Sequence, residues 1–521
     1  MRQDPKEIEL KLALVPADFS ALKAHRSFGE LLRSPDHVET LNSMYFDTDR
    51  RDLRAHGMSL RVRREGDHFL QTIKAASSSA GMLERGQWEQ PLRDGQPDLD
   101  AAANTALGPI LTAPVRAALR PIFETRVRRH YYYLADNAWR IEIAFDEGEI
   151  VAGNHSLPIC ELELELKYGY RAALFELARM ILEVIPAQLT LVSKAERGYD
   201  LLDDKPRRFF AAKNGEIAPG TTTGQSFQNI ARACLNQLIA NAPLMHRRNP
   251  EALHQVRIAL RRLRTAISIF SDVARDGQVG RIKAELKWLN GELSPARDFD
   301  TLLDEVVRPL HRQHPGHRGL RSLHFSLARQ RRRHYAHAGS AMRSLRFCQL
   351  LIELYAWIEV GEWITTTDET ARLRREAPVE VYAAEQLSRR RKKIRKRGRH
   401  LDRLDAERRH DLRIQVKKIR YATEFFVDLF HERKSAKRGA KFLSALKRLQ
   451  TMLGDLNDVA TRGALCNDIL KMMDAGSVPN GRDRAFAAGL IAGNQEARLV
   501  KLLSDAGKAH AEFADIRPFW K

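Results

Sequence analysis

Two short segments of this chain alternate strictly between ionic and aliphatic side chains: Glu7-Ile8-Glu9-Leu10-Lys11 and Glu161-Leu162-Glu163-Leu164-Glu165-Leu166-Lys167. Successive side chains of a β-strand leave opposite faces, so each segment gathers its carboxylates and its lysine on one face. Two such strands facing one interior would line it with up to five carboxylates. Buried carboxylates need partners, and hard divalent cations take oxygen ligands of this kind. Cations occur in the same alternation. Arg61 and Arg63 share a face, as do Arg126 and Arg128; Lys74 closes the Phe69–Lys74 stretch, and Ser193-Lys194 supplies a further lysine. Carboxylates that hold a metal and cations that hold phosphate oxygens together suit a metal–polyphosphate complex. Phosphoryl transfer asks little more of a protein than positioning and charge neutralisation. A solvated face of cross-strand ion pairs explains any one of these strands, but explains the whole set poorly.

These residues need a β-rich scaffold. Up to about residue 200 the chain reads as strands with short helices between, among them Ser59–Arg63, Phe69–Lys74, Arg126–Tyr131 and Arg140–Asp146. Turn signals such as Glu65-Gly66-Asp67 and Asp94-Gly95 separate some of them. Many strands at short spacing predict a barrel or sandwich. Residues 204–224 read as a linker, because Ala218-Pro219-Gly220-Thr221-Thr222-Thr223-Gly224 is turn-rich and aperiodic. Beyond it the pattern is helical and repeats: His254–Arg264 matches His410–Arg420 at an offset of 156 residues, and Leu289–Thr301 echoes Leu449–Thr461 at 160. Two motifs in the same order predict a duplicated helical unit, with repeats at about 225–375 and 376–521.

In the first repeat His254, Arg257, Arg261 and Arg264 fall within an arc of about 80° on one helix face, opposite Val256, Leu260 and Leu263. The second repeat sets His410, Arg413, Lys417 and Arg420 against Leu412, Val416 and Ile419. One such stripe is as readily a solvated face as a binding site; two that both keep the histidine favour a polyphosphate-binding surface.

Charge follows the same division. Residues 1–200 carry 26 Lys and Arg against 30 Asp and Glu, whereas residues 201–521 carry 61 against 36, so the chain's net charge of +21 arises entirely in the helical part. Such a field attracts polyanions. Nucleic acid is disfavoured, because no reading motif accompanies the charge. The four cysteines are scattered without a CxxC pair, which fits a reducing compartment. The charged N-terminus lacks signal-peptide character. The apolar window Leu350–Ile364 is broken by Glu353, Glu359 and Glu362, so no membrane partner is expected. A cytoplasmic protein is expected.

The ordered set Glu7-x-Glu9-x-Lys11, Leu60-Arg61-Val62-Arg63, Thr72-Ile73-Lys74, Glu161-x-Glu163-x-Glu165 and Ser193-Lys194 resembles the CYTH family of triphosphate tunnel metalloenzymes over residues 1–203. That resemblance implies a closed, eight-stranded antiparallel β-barrel, or tunnel. It implies Mg²⁺ or Mn²⁺ held by Glu7, Glu9, Glu161 and Glu163, with Asp146 a further acidic ligand and Glu165 a ligand or a partner of one. It carries phosphate binding onto Lys11, Arg61, Arg63, Lys74, Arg126 and Lys194, with Arg128 as the alternative to Arg126. Glu7, Glu9 and Lys11 are the implied catalytic residues. Residues 225–521 resemble the CHAD family, a duplicated all-α helical-bundle domain associated with inorganic polyphosphate. Arg297-Asp298-Phe299-Asp300 and Asn457-Asp458-Val459 match its second motif, with Asn457 in place of the arginine. The expected fold class is therefore α+β multidomain, and the expected reaction is metal-dependent hydrolysis of inorganic triphosphate to diphosphate and phosphate. A nucleotide cyclase, a thiamine or nucleoside triphosphatase, and a non-catalytic polyphosphate-binding protein are the alternatives.

Overall fold

The computed structural model describes residues 6–29, 32, 35–75, 84–203, 209–212, 215, 217–247, 249–474, 489, 493 and 499–521. The side chain of Glu7 and the segment 204–208 of the expected linker lie outside the described residues. The chain forms two compact units: 1–211 with 235–246 and 341–362, and the remainder.

The first unit is built on strands β1 (Lys6–Ala13), β2 (His37–Asp47), β3 (Met58–Glu65), β4 (His68–Ala75), β5 (Glu84–Leu92), β6 (Arg120–Ala135), β7 (Arg140–Ala152), β8 (His155–Tyr168) and β9 (Gln188–Leu189). They pair in the order β5-β4-β3-β2-β6-β7-β8-β1-β9. The order returns on itself through a short antiparallel β1–β5 pairing at Lys6↔Gly86, Glu7↔Arg85 and Ile8↔Glu84. Two-residue hairpins need a positive φ, and Gly66 and Gly153 supply it at 59° and 58° between β3 and β4 and between β7 and β8.

Alternation assigns the two faces. On the outer side Leu10, Leu12, Ile141, Ile143, Phe145, Leu162 and Leu164 are buried. The helix Pro16–Ala24 covers part of them, with Phe19 stacked on Phe145 at 3.4 Å. The helix Ala172–Val184 packs on β8 through the buried stripe Leu174, Leu177, Ala178 and Ile181. It is backed in turn by Leu345–Val360, through an edge-on Phe175–Tyr355 contact at 5.2 Å and an Arg179–Glu353 pair at 2.7 Å. A helix from far along the sequence thus belongs to the β-rich unit.

The inner face changes character along the strands. At one end it is apolar: Leu41, Tyr45, Phe123, Val127, Ile150, Ala152 and Ile159 enclose Ala195 and Tyr199 of the helix Lys194–Leu202. Next to this plug the inner face is ionic.

The second unit is helical. The two histidine-bearing helices are Pro250–Ile269 and Ala406–Phe426, each started by a side-chain cap, Asn249 and Asp405. Both bury their expected apolar faces, Val256, Leu260 and Leu263 in one and Leu412, Val416 and Ile419 in the other. The second motif falls on Val279–Leu302 and Arg433–Asp474.

Candidate active site

Antiparallel register builds the ionic centre. Lys11 on β1 lies opposite Glu163 on β8, Glu161 on β8 lies opposite Asp146 on β7, and Asp146 lies opposite Arg129 on β6. Cross-strand neighbours on one face are within reach of each other, so four strands converge on one point. The carboxylates of Asp146, Glu161 and Glu163 have oxygens within 4.8 Å of one another. Asp146 is 0% and Glu161 2% exposed, a cost in desolvation that only partners can offset.

Those partners are cations. Arg129 donates from Nε to Asp146 Oδ1 and from Nη2 to Oδ2, both at 2.6 Å, and from Nη2 to Glu163 at 2.5 Å. Lys11 Nζ is 2.5 Å from Glu163 and 3.7 Å from Glu161. Lys194, the first residue of its helix, donates to Glu161 and lies 2.6 Å from Asp146 and 3.0 Å from Glu163. Arg197, one turn on, donates to Glu161 at 3.2 Å. Burial alone would disfavour every one of these charges. For Glu163 it is outweighed by Lys11, Lys194 and Arg129, which hold its carboxyl well below the ordinary range. For Asp146 it is outweighed by Lys194 and Arg129, again lowering the pKa. Conversely, Lys11 is raised against its own burial by Glu163, Glu9 and Glu161, and Lys194 is raised well above normal by Asp146, Glu161 and Glu163. Asp146, Glu163, Lys11 and Lys194 are therefore charged at neutral pH.

The adjoining wall is basic. Arg61 and Arg63 project from β3, where Arg61 lies opposite Tyr45 of β2 and Arg63 pairs with Glu65 at 2.5 Å. The Nε atoms of both arginines are buried without a hydrogen-bond partner. Burial, and then the charge of Arg61, lower the Arg63 pKa. An unpartnered buried donor is costly, and two side by side favour an incoming anion.

In the helical unit the two basic stripes meet. Lys417 is pushed down to about 7 by burial and by Arg413 and then Arg261, the latter from the other histidine helix. Arg257 is lowered to about 10 by burial, which Asp298 partly offsets and the charges of Arg261 and Arg297 reinforce. It donates to Ser294 at 2.6 Å. Arg413 is 4.0 Å from Asp458, and its Nε is buried and unpartnered.

Residues 5–199 match the CYTH domain and residues 229–467 match the CHAD domain. The chain is a CYTH domain followed by a CHAD domain. The inorganic triphosphatase of Haemophilus influenzae is 31% identical over 195 residues, which cover 37% of this chain and 54% of that protein. The match therefore spans about half of the relative's length. The crystal structure of the CHAD domain from the plant Ricinus communis superposes with a TM-score of 0.50 at 26% identity, covering 59% of this chain and 97% of that one.

In the CYTH domain the structure gathers Lys11, Asp146, Glu161, Glu163 and Lys194 at one centre. Buried Glu9 lies close enough to act on Lys11, and Arg61 and Arg63 line the next wall. Lys74 is half-buried on β4, in register with Ser59 and Gln87. Glu165 pairs with Lys167 at 2.9 Å instead of joining the cluster. Arg126 is corrected: it is 55% exposed on the outer face, paired with Glu124 and Glu149, and Arg128 is exposed on that same face. Val127 and Arg129 point inward in their place, because the plugged end of the interior is apolar. Arg129 and Arg197 are therefore the site cations that strand alternation missed. In the CHAD domain His254, Arg257, Arg261, Arg413 and Lys417 belong to the convergent group. Asn457, which replaces an arginine of the first repeat, accepts at its Oδ1 from His410 Nδ1 at 2.7 Å. Arg264 is exposed on the Lys418 side. Arg420 turns to Glu424 and Gln450, at 2.6 and 2.7 Å, and stays outside it.

Proposed function

We propose that the CYTH domain hydrolyses inorganic triphosphate with Mg²⁺ or Mn²⁺, and that the CHAD domain binds inorganic polyphosphate. The observation that carries this reading is the juxtaposition of a carboxylate cluster, Asp146, Glu161 and Glu163, with buried arginines whose Nε atoms have no partner. An all-oxygen set of acidic donors fits a hard divalent cation, and Glu9 extends it. Asp146, Glu161 and Glu163, with Glu9, would hold the metal. When bound, it neutralises phosphate charge and polarises the terminal phosphoryl group.

The chain's own residues then do the rest. Lys11, Lys194 and Arg129, which neutralise the carboxylates here, exchange those partners for phosphate oxygens. Arg61 and Arg63 take the oxygens on the adjoining wall, with Lys74 beyond them. A deprotonated carboxylate orients a water for in-line attack on the terminal phosphorus and takes up the proton that the water loses. The P–O bond to the leaving diphosphate breaks as the new one forms, and phosphate departs. The 31% identity to an inorganic triphosphatase over 195 residues supports this substrate. The convergent cations of the CHAD domain support polyanion binding there. No helix among the described residues is long and apolar enough to cross a membrane; together with the scattered cysteines this favours a cytoplasmic enzyme. Turnover compared on inorganic triphosphate, ATP and thiamine triphosphate tests the assignment; a preference for either organic substrate would overturn it.

A further inference from the structure

The helix Lys194–Leu202 carries a second set of contacts that the proposed reaction does not use. Its first turn delivers Lys194 and Arg197 to the carboxylates; its later turns are clamped. Tyr199 donates its hydroxyl to Asp47 Oδ2 at 2.7 Å. Asp47 is wholly buried at the end of β2 and also accepts from the backbone amides of Thr48, Leu53 and Arg54, at 2.7, 2.9 and 3.1 Å. Arg54, from the same turn, lies over the Tyr199 ring at 4.8 Å and donates to Asp200 at 2.7 Å and Asp203 at 3.0 Å. On a third side, Gly198 approaches β6 so closely that a Cβ there would overlap the Phe123 ring.

We infer that Asp47, Arg54 and Tyr199 are positioning residues for triphosphate hydrolysis: they lock the helix at the register in which Lys194 reaches three carboxylates at once. The inference rests on the reading of the tunnel given above. A buried carboxylate satisfied by three amides and a phenol is a rigid anchor. The helix conveys that rigidity over five residues, about 7.5 Å at 1.5 Å per residue. Lys194 Nζ sits 2.6 Å from Asp146 and 3.0 Å from Glu163, so a slide of about 1 Å breaks hydrogen-bond geometry. Misplacement on that scale costs up to about 100-fold in rate.

The test is a double-mutant cycle in the full-length chain, with triphosphate hydrolysis measured under single-turnover conditions, enzyme in excess, so that slow variants remain readable. Tyr199→Phe removes only the hydroxyl. It should slow hydrolysis about tenfold or more alone, but less than about twofold in a Lys194→Ala background, because the group it positions is then gone. Arg54→Met should behave in the same way and carries the test where Tyr199→Phe does not fold. An equal loss in both backgrounds would make the clamp merely structural and overturn the inference. So would an unimpaired Tyr199→Phe beside an impaired Lys194→Ala. A Lys194→Ala variant that hydrolyses triphosphate at the native rate would instead overturn the tunnel reading and the inference together.

Discussion

Replacing Arg129 by methionine tests which arginine of β6 enters the tunnel. Methionine keeps most of the aliphatic stem and deletes the guanidinium. Asp146, 0% exposed, then loses two hydrogen bonds of 2.6 Å, and Glu163 loses one of 2.5 Å. Removing one partner of a buried ion pair typically costs about 3–5 kcal/mol. Lys194 remains 2.6 Å from Asp146, so the lower end, about 3 kcal/mol, is expected. For a unit of this size that corresponds to a fall in Tm of about 6–12 °C, at about 2–4 °C per kcal/mol. Arg126→Met is the control. Its guanidinium is 55% exposed and pairs with Glu124 and Glu149 on the outer face of β6 and β7, so a change within about 0.5 kcal/mol is expected. Differential scanning calorimetry resolves the two, and triphosphate hydrolysis should vanish with Arg129→Met and survive Arg126→Met. Equal stability of both variants, or loss of hydrolysis with Arg126→Met, would refute the register argument.

Two further predictions concern regions outside the tunnel. Polyphosphate favours the protonated form of Lys417, whose pKa lies at about 7 among Arg257, Arg261, Arg413 and Asp458. Affinity measured by calorimetry should therefore fall as pH rises from 6 to 8, and Lys417→Arg should remove the fall; an unchanged slope in that variant would count against the convergent site. Residues 1–203 expressed alone lack the helix Leu345–Val360, exposing Phe175 and leaving Arg179 without Glu353; size-exclusion chromatography should show aggregate, and a monodisperse, fully active fragment would contradict the unit's composition.

Much of the site was legible because ionic residues alternating with aliphatics have a face assignment that only a two-sided, buried sheet explains. β1, β3, β4, β7 and β8 announce themselves in this way. β2 does not: its inner residues run from Glu39 through Leu41, Ser43 and Tyr45 to Asp47, from the ionic centre into the apolar plug. The same change of character misassigned Arg126. Where the interior turns apolar, an inward valine and an inward arginine two residues apart share one face, and alternation read locally puts the arginines on the wrong one. The Leu345–Val360 helix was hidden for another reason. Its apolar faces and two glutamates read equally well as core of either unit, and its contacts with Phe175, Arg179, Pro186 and Arg171 assign it. The histidine helices were clear because duplication repeats both their faces; that the stripes converge depends on packing that no single helix encodes.

The most direct test of the tunnel as a metal-dependent triphosphatase is phosphate release from inorganic triphosphate by the purified full-length protein in chelator, in Mg²⁺ and in Mn²⁺, beside Glu163→Gln. Turnover that requires one of the metals and is lost in the variant is predicted. Equal release in chelator, or native turnover by Glu163→Gln at saturating metal, would contradict it.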